Sequence, residues 1–328
     1  MADTTKKQRI FMTGASGYVG SVITEFAVAE GYEVYGLSRS ETSDEKLRKL
    51  GAVPVRGDLS SLDVLRREAA AADVVIHLAD PFTYDLSKGY DPVIKAQAAV
   101  ADAFADSLKG TDKVLLTTGG ALMAASDPNG GETDETTPAP EEEIIPRGQV
   151  EKYDLSLAER GVRVATIRLA PFVYGRGGSA IRMLMKLGAQ NGYVLCVDEG
   201  KAHTMTVHVD DAARLYLLAA KKARAGEKYI ATAPGGVTQR QIADAIAAAV
   251  DVPVKSITPE EAIAKLGPFF GRFLAADNRS TSAKARREFG WEIRETTGIL
   301  EDIRSGSYRA VAQAIKSGTG DSTLWGGH

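Results

Sequence analysis

Through the first half of the chain, short apolar runs alternate with segments whose apolar positions recur every three to four residues. Ile10-Phe11-Met12-Thr13 reads as a strand; Val19, Ile23, Phe26 and Ala27 follow at helical spacing, and Gly31 is placed to end that helix. Strand-like runs return at 33–37, 53–55, 73–78, 113–117 and 162–167. Such alternation predicts an α/β protein built on a doubly wound parallel sheet, with ligands bound beyond the C-terminal strand ends.

From about residue 176 the pattern loosens. Thr238-Gln239-Arg240-Gln241 and Thr258-Pro259-Glu260-Glu261 read as capping boxes that open short helices, with Gly267-Pro268 expected to stop the second. The prediction is a Rossmann-like nucleotide-binding domain over 1–175, completed by elements near 204–233. Residues 176–328 then form mainly a smaller α+β substrate-binding cap with a flexible C-terminal tail. Residues 119–142, polar and rich in Gly, Pro, Asp and Glu, read as a lid or flexible arm.

Composition narrows the class. Of 328 residues, 44% are hydrophobic and 25% charged, with a net charge of −3, so no nucleic-acid or membrane surface is expected. No apolar run reaches membrane-spanning length and the N-terminus lacks an apolar signal region, which favours a cytoplasmic location. Cys196 is the sole cysteine, so no intramolecular disulfide forms. His77, His203, His208 and His328 share no metal-ligand spacing, and no metal is expected; His328, in a Gly-rich tail, reads as disordered.

The chemistry starts at Gly14-x-x-Gly17-x-x-Gly20, directly between the first strand and helix. Glycines there allow a tight turn, close approach of backbone to a diphosphate, and close helix–strand packing, while the helix N-terminus offers free N–H groups. The second strand ends in Leu37-Ser38-Arg39-Ser40, with no acid to hold a ribose 2′-hydroxyl. The planar fork of Arg39 suits a 2′-phosphate, favouring NADP(H) over NAD(H); the other reading is an Arg on a solvated helix start. Asp58, in Gly57-Asp58-Leu59, either accepts from an adenine amino group or simply precedes a helix.

Taken in order, Thr13-Gly14-x-x-Gly17-x-x-Gly20, Arg39, Asp58-Leu59, His77-Leu78-Ala79, Arg168-Leu169-Ala170-Pro171-Phe172-Val173-Tyr174-Gly175 and Val207-His208-Val209-Asp210-Asp211-Ala212 resemble the extended short-chain dehydrogenases/reductases, the NAD(P)-dependent epimerase/dehydratase-like group. The resemblance covers residues 9 to at least 292. It implies that the backbone of Ser16, Tyr18 and Val19 faces the diphosphate. It further implies that Asp58 and Leu59 border adenine, Ala79 the ribose, and Pro171 and Val173 the nicotinamide. The group's catalytic signature is Ser/Thr with Tyr-x-x-x-Lys. Here its register falls on Glu143 for Tyr and Arg147 for Lys, with the Ser/Thr position near Thr118-Gly119, so the usual triad is expected to be absent. A literal Tyr84-x-x-x-Lys88 follows the fourth strand and reads as a chance match. The pattern most resembles atypical reductases carrying His-x-x-x-Arg; Arg147 matches that Arg, and Glu143 departs from the His.

The chemistry expected is NADPH-dependent hydride transfer to a C=O or C=N group of a small molecule, with Arg147 holding the ribose or a developing oxyanion. Thr118 through a water relay, Tyr174 and His203 are the candidate proton donors; Glu143, an ordinary carboxylate, is ionised at neutral pH and a poor one. His208 reads as structural. Phe269, Phe270, Phe273 and Leu274 either line a pocket or pack the cap. Two other classes stay open: a redox-silent NADP-binding sensor, and a non-redox isomerase or cyclase using the cofactor as scaffold. The resemblance also implies a homodimer through helices near 93–108 and 146–160.

Overall fold

The computed structural model describes residues 7–80 and 89–319; Tyr84, Lys88 and His328 lie outside the described residues. The first half runs β1 (Arg9–Thr13), α1 (Tyr18–Ala29), β2 (Glu33–Ser38), α2 (Glu41–Lys49), β3 (Val53–Arg56), α3 (Leu62–Ala71), β4 (Val74–His77), α4 (Asp91–Leu108), β5 (Val114–Gly120), α5 (Arg147–Ser156) and β6 (Arg163–Leu169). There follow β7 (Phe172–Tyr174), α6 (Ser179–Asn191), β8 (Val194–Val197), β9 (His203–Thr204), β10 (Thr206–His208), α7 (Val209–Lys222) and β11 (Glu227–Ala231). The chain closes with β12 (Val237–Thr238), α8 (Gln239–Val250), β13 (Val254–Ile257), α9 (Pro259–Ala275), α10 (Ala283–Phe289), α11 (Ile299–Ser305) and α12 (Arg309–Lys316).

Seven strands form one sheet in the order β3-β2-β1-β4-β5-β6-β11, every pair parallel. This is the Rossmann-like, doubly wound arrangement that the alternation predicts. Its order reverses between β1 and β4, where Thr13 pairs with His77 and a crevice opens. Successive strand residues face opposite sides, so a sheet covered on both faces needs continuous apolar runs. Ile10, Met12 and Ile76 accordingly pack with Ile23 of α1 and Leu215 of α7. Phe11 and Val75 pack on the other face with Leu65 of α3 and Phe104 of α4.

A third apolar core joins Phe172, Ile181, Met185, Val194, Ile242, Ile246 and Ile303. Both capping boxes form as read, with the side chains of Thr238 and Thr258 accepting from Gln241 N and Glu261 N. After β10, which pairs with β7, α7 packs on the large sheet and β11 joins its edge beside β6. Trp291, after α10, packs in the first core and its Nε1 donates to the Asp211 carbonyl at 3.0 Å.

One expectation is corrected. Residues 119–142 are not a free arm. Ala125 N donates to Pro138 O, Thr133 bridges to Ser280, and Asn278 Nδ2 donates to Ala121 O. Buried Glu135 accepts from Ile230 N of β11, satisfying a donor on the open edge of the sheet, and burial holds its carboxyl above the usual range. Gly267-Pro268 stops the helix opened at Thr258, as read: Gly267 (φ 82°, ψ 164°) is non-helical, and a second helical stretch, not foreseen, starts at Pro268 within α9.

Candidate active site at the C-terminal strand ends

Each glycine of the turn has its own steric reason. Gly14 sits at φ 74°, and a Cβ there would lie 3.0 Å from Ala79 N. Gly17 is the N-cap of α1, and its N–H donates to Gly14 O at 3.0 Å. A Cβ on Gly20 would collide with Gly14 O and lie 2.9 Å from Ala15 Cα, so only glycine lets α1 start this close to β1. The first turn of α1 carries no acidic residue, so its orphan N–H groups and positive dipole end are uncompensated. A backbone cradle that any Cβ would fill, closed by such a helix start, fits a dinucleotide diphosphate. Ser16, Tyr18 and Val19 lie on this turn. Lys46, which sequence reading missed, reaches from α2 to donate to Ser16 O at 2.6 Å.

At the tip of β2, Ser38 is buried and Arg39 exposed; among the described residues Arg39 has no hydrogen-bond or ion-pair partner. Asp58 is exposed, and its Oδ1 accepts from Ser60 N (2.8 Å), Ser60 Oγ (2.6 Å) and Ser61 Oγ (3.1 Å), bonds that hold its carboxyl below the usual range. Leu59, beside it, is half-buried.

Beyond β4 a buried chain of hydrogen bonds fixes Ala79. His77 Nε2 faces Gln97 Oε1 at 2.8 Å, an acceptor, so this nitrogen carries the proton. His77 Nδ1 then accepts from Thr13 Oγ1 at 2.7 Å, and Thr13 Oγ1 accepts from Ala79 N at 3.2 Å. Burial pushes the His77 pKa down, so the ring is neutral. On β5, Thr118 Oγ1 donates to His77 O at 3.0 Å and faces Tyr216 Oη at 2.8 Å; since the Thr118 proton is used, Tyr216 is the donor of that pair. Tyr216, buried on α7 and held above its usual pKa by burial, was not singled out in the sequence.

These strand ends open into a cavity of about 500 Å³. Thr118, Glu143, Arg147, Pro171 and Val173 line it with Leu78, Asp80, Met123, Ile144, Ile145 and Phe273. Arg147, the first residue of α5, pairs through Nη1 with Asp80 and donates through Nη2 to the Thr118 carbonyl at 3.3 Å. The side chains are 28% and 19% exposed, so the pair is partly desolvated but reachable. Glu143 accepts from Gly148 N at 3.3 Å, placing an anion at the start of α5. Glu141 and Glu142 are exposed while Glu143 is half-buried in the cavity wall.

Two candidates are not brought here. Tyr174 is buried in the cap and its hydroxyl donates to Thr297 O at 2.8 Å. His203 faces Arg279 Nη2 through Nδ1 at 2.5 Å and lies outside the cavity wall. His208 accepts from Asp210 N, and its neighbours Asp210 and Glu295 are already paired to Arg176 and Arg214. Asp80 escaped the sequence reading because nothing near it in the chain marks it; its role depends on where α5 begins.

Beneath the cavity floor lies a buried polar cluster. Glu151 of α5 binds Arg168 of β6 through two hydrogen bonds of 2.9 and 2.5 Å. Asp154, one turn on, is hydrogen-bonded to Thr117; burial, with the Glu151 charge adding to it, pushes its pKa up to about 7.

Residues 10–232 match the NAD dependent epimerase/dehydratase family, and the match spans the sheet, the glycine turn and the cavity's strand ends. The chain belongs to that family. As a member of the epimerase/dehydratase family it is an NAD(P)-dependent, oxidoreductase- or epimerase-like enzyme. It is 36% identical to an uncharacterized protein of Schizosaccharomyces pombe, over 92% of this chain and 99% of the relative. It is 28% identical to a 4-hydroxy-2-methyl-3-oxo-4-farnesyl-3,4-dihydroquinoline-1-oxide ketoreductase of Stigmatella aurantiaca, over 68% of each chain. The fold is shared with the Thermus thermophilus UDP-glucose 4-epimerase solved in complex with NAD, with a TM-score of 0.71, 19% identity and coverage of 92% and 98%. Among the described residues no helix is long and apolar enough to cross a membrane.

Proposed function

We propose that this protein is an NADPH-dependent reductase of a C=O or C=N group in a small organic molecule, working without the tyrosine donor usual in its family. One observation carries the reading: a largely apolar, partly open cavity sits at the strand ends, with Arg147 held in its wall by Asp80. NADPH is favoured because β2 ends without an acid and Arg39 stands exposed and unpaired among the described residues. The ketoreductase relative supports carbonyl reduction as the chemistry.

Bound nicotinamide supplies the hydride. Arg147 offers a permanent cation to the oxygen on which charge develops; it orients and stabilises but does not give up a proton. Thr118 spends its own proton on His77 O, so it acts toward a substrate as an acceptor that fixes orientation. The proton is delivered by water admitted to the partly open cavity, the hydroxide left behind being neutralised by a proton from bulk solvent, and Glu143, a lining residue, helps to position that water.

A second reading, a redox-silent NADP-binding sensor, draws on the same two residues: Glu143 binds Gly148 N and Arg147 binds Asp80, so both have structural occupations. NADPH consumption against aldehydes, ketones, diketones and cyclic imines, with products identified, separates the two. Turnover supports the reductase; saturable NADPH binding without consumption of any compound favours the sensor.

A further inference from the structure

The cavity wall is apolar except for Asp80, Thr118, Glu143 and Arg147. Two carboxylates, one of them Asp80 paired with Arg147, against that one guanidinium give it a formal charge of −1. A diphosphate or a carboxylate entering here would meet net negative charge in a partly desolvated space. An uncharged apolar molecule would meet Met123, Ile144, Ile145 and the aromatic face of α9.

That aromatic face is specified by the break in α9. Gly267 turns the chain at φ 82°, and the second helical stretch folds back on the first so closely that a Cβ on Gly271 would lie 2.6 Å from Ile263 N and 2.7 Å from its Cα. This back-folding carries Phe269 and Phe273 to the cavity, where their rings stack at 6.1 Å and Phe273 also packs on Phe172 at 5.3 Å. Without glycine at 271 the two stretches separate and the wall moves.

We infer that the substrate is an uncharged, hydrophobic carbonyl compound, aryl or alkyl, and that Phe273, aimed by the Gly267–Gly271 fold-back, selects it against charged and nucleotide-linked compounds. The inference rests on the reductase reading for its carbonyl and on the cavity wall for its apolarity.

The test measures binding separately from turnover. The full chain, saturated with NADP⁺, is titrated calorimetrically with 4-phenyl-2-butanone, with its para-carboxylated counterpart and with UDP-glucose. The neutral ketone should bind about tenfold or more tighter than the carboxylate, and UDP-glucose should not compete with it. Phe273→Arg should shift the ratio toward the carboxylate by about tenfold; if that variant does not fold, Phe269→Arg serves. Gly271→Ala, which alters no charge, should weaken the neutral ketone while circular dichroism stays native. Equal or tighter binding of the carboxylate or of UDP-glucose, no binding of the neutral ketone, or a preference untouched by any folded variant overturns the inference. NADPH consumption with the same compounds tests the reductase reading alone: selective binding without consumption sinks that reading and leaves the apolar selectivity standing.

Discussion

Arg147, the first residue of α5, and Asp80, three residues past β4, lie 67 residues apart in the chain and meet as an ion pair in the cavity wall. The pair explains how a guanidinium stays aimed along the cavity wall. Arg147→Ala should lower kcat/KM by about a hundredfold with little change in melting temperature. Asp80→Asn should act in the same direction but less, since the Thr118 carbonyl still holds Nη2. The double variant should be no worse than Arg147→Ala, because the two share one interaction. Unaltered steady-state kinetics in Arg147→Ala would reduce the pair to a structural contact.

Arg39→Asp should weaken NADPH about tenfold or more relative to NADH, as expected for loss of a cation opposite a 2′-phosphate together with gain of a repelling anion. Fluorescence titration of both cofactors reads the ratio. Equal weakening removes the 2′-phosphate assignment.

Gly20→Ala places a methyl group against Gly14 O, a backbone atom that cannot swing away. The expected cost is about 1–3 kcal/mol of stability, with NADPH binding lost as α1 is displaced from the turn. Thermal melting and cofactor titration check both; a variant binding NADPH normally contradicts the cradle.

Asp154 gives a pH dependence whose sign follows from its raised pKa. The native state binds this proton more tightly than the unfolded chain, so stability is full below pH ~4, falls as pH rises toward about 7, and is level above it. Asp154→Asn keeps a side chain able to bond Thr117 and removes the titration. It should flatten the profile and gain roughly 1–3 kcal/mol over the parent at pH 8. Urea melts between pH 4 and 8 decide it, and parallel curves for the two proteins would refute the assignment.

What could be read from the chain was what depends on local chemistry. The β1–α1 glycines, the apolar strands and the two capping boxes need only their own neighbours, and the structure has them where they were expected. Glu143 and Arg147, singled out by their spacing before a helix, both line the cavity. Tyr174 and His203 failed because a side chain's target is set by tertiary packing: Thr297 and Arg279, far off in sequence, take them. Residues 119–142 read as an arm because their anchors, Ile230 and Ser280, belong to elements a hundred residues on. Asp80 and Tyr216 carry no motif; only the closing of the sheet brings them to Arg147 and Thr118.

Tyr18 belongs to the glycine turn through its backbone, yet its hydroxyl donates to Gly175 O at 2.8 Å, and its ring leaves no room for a Cβ on Gly178. Tyr308 closes the same loop from the other side, receiving Gly175 N at 3.0 Å and donating to Gly178 O at 2.9 Å. One aromatic residue is thus a pin through both halves of the molecule: whatever settles the start of α1 also settles where the cap begins.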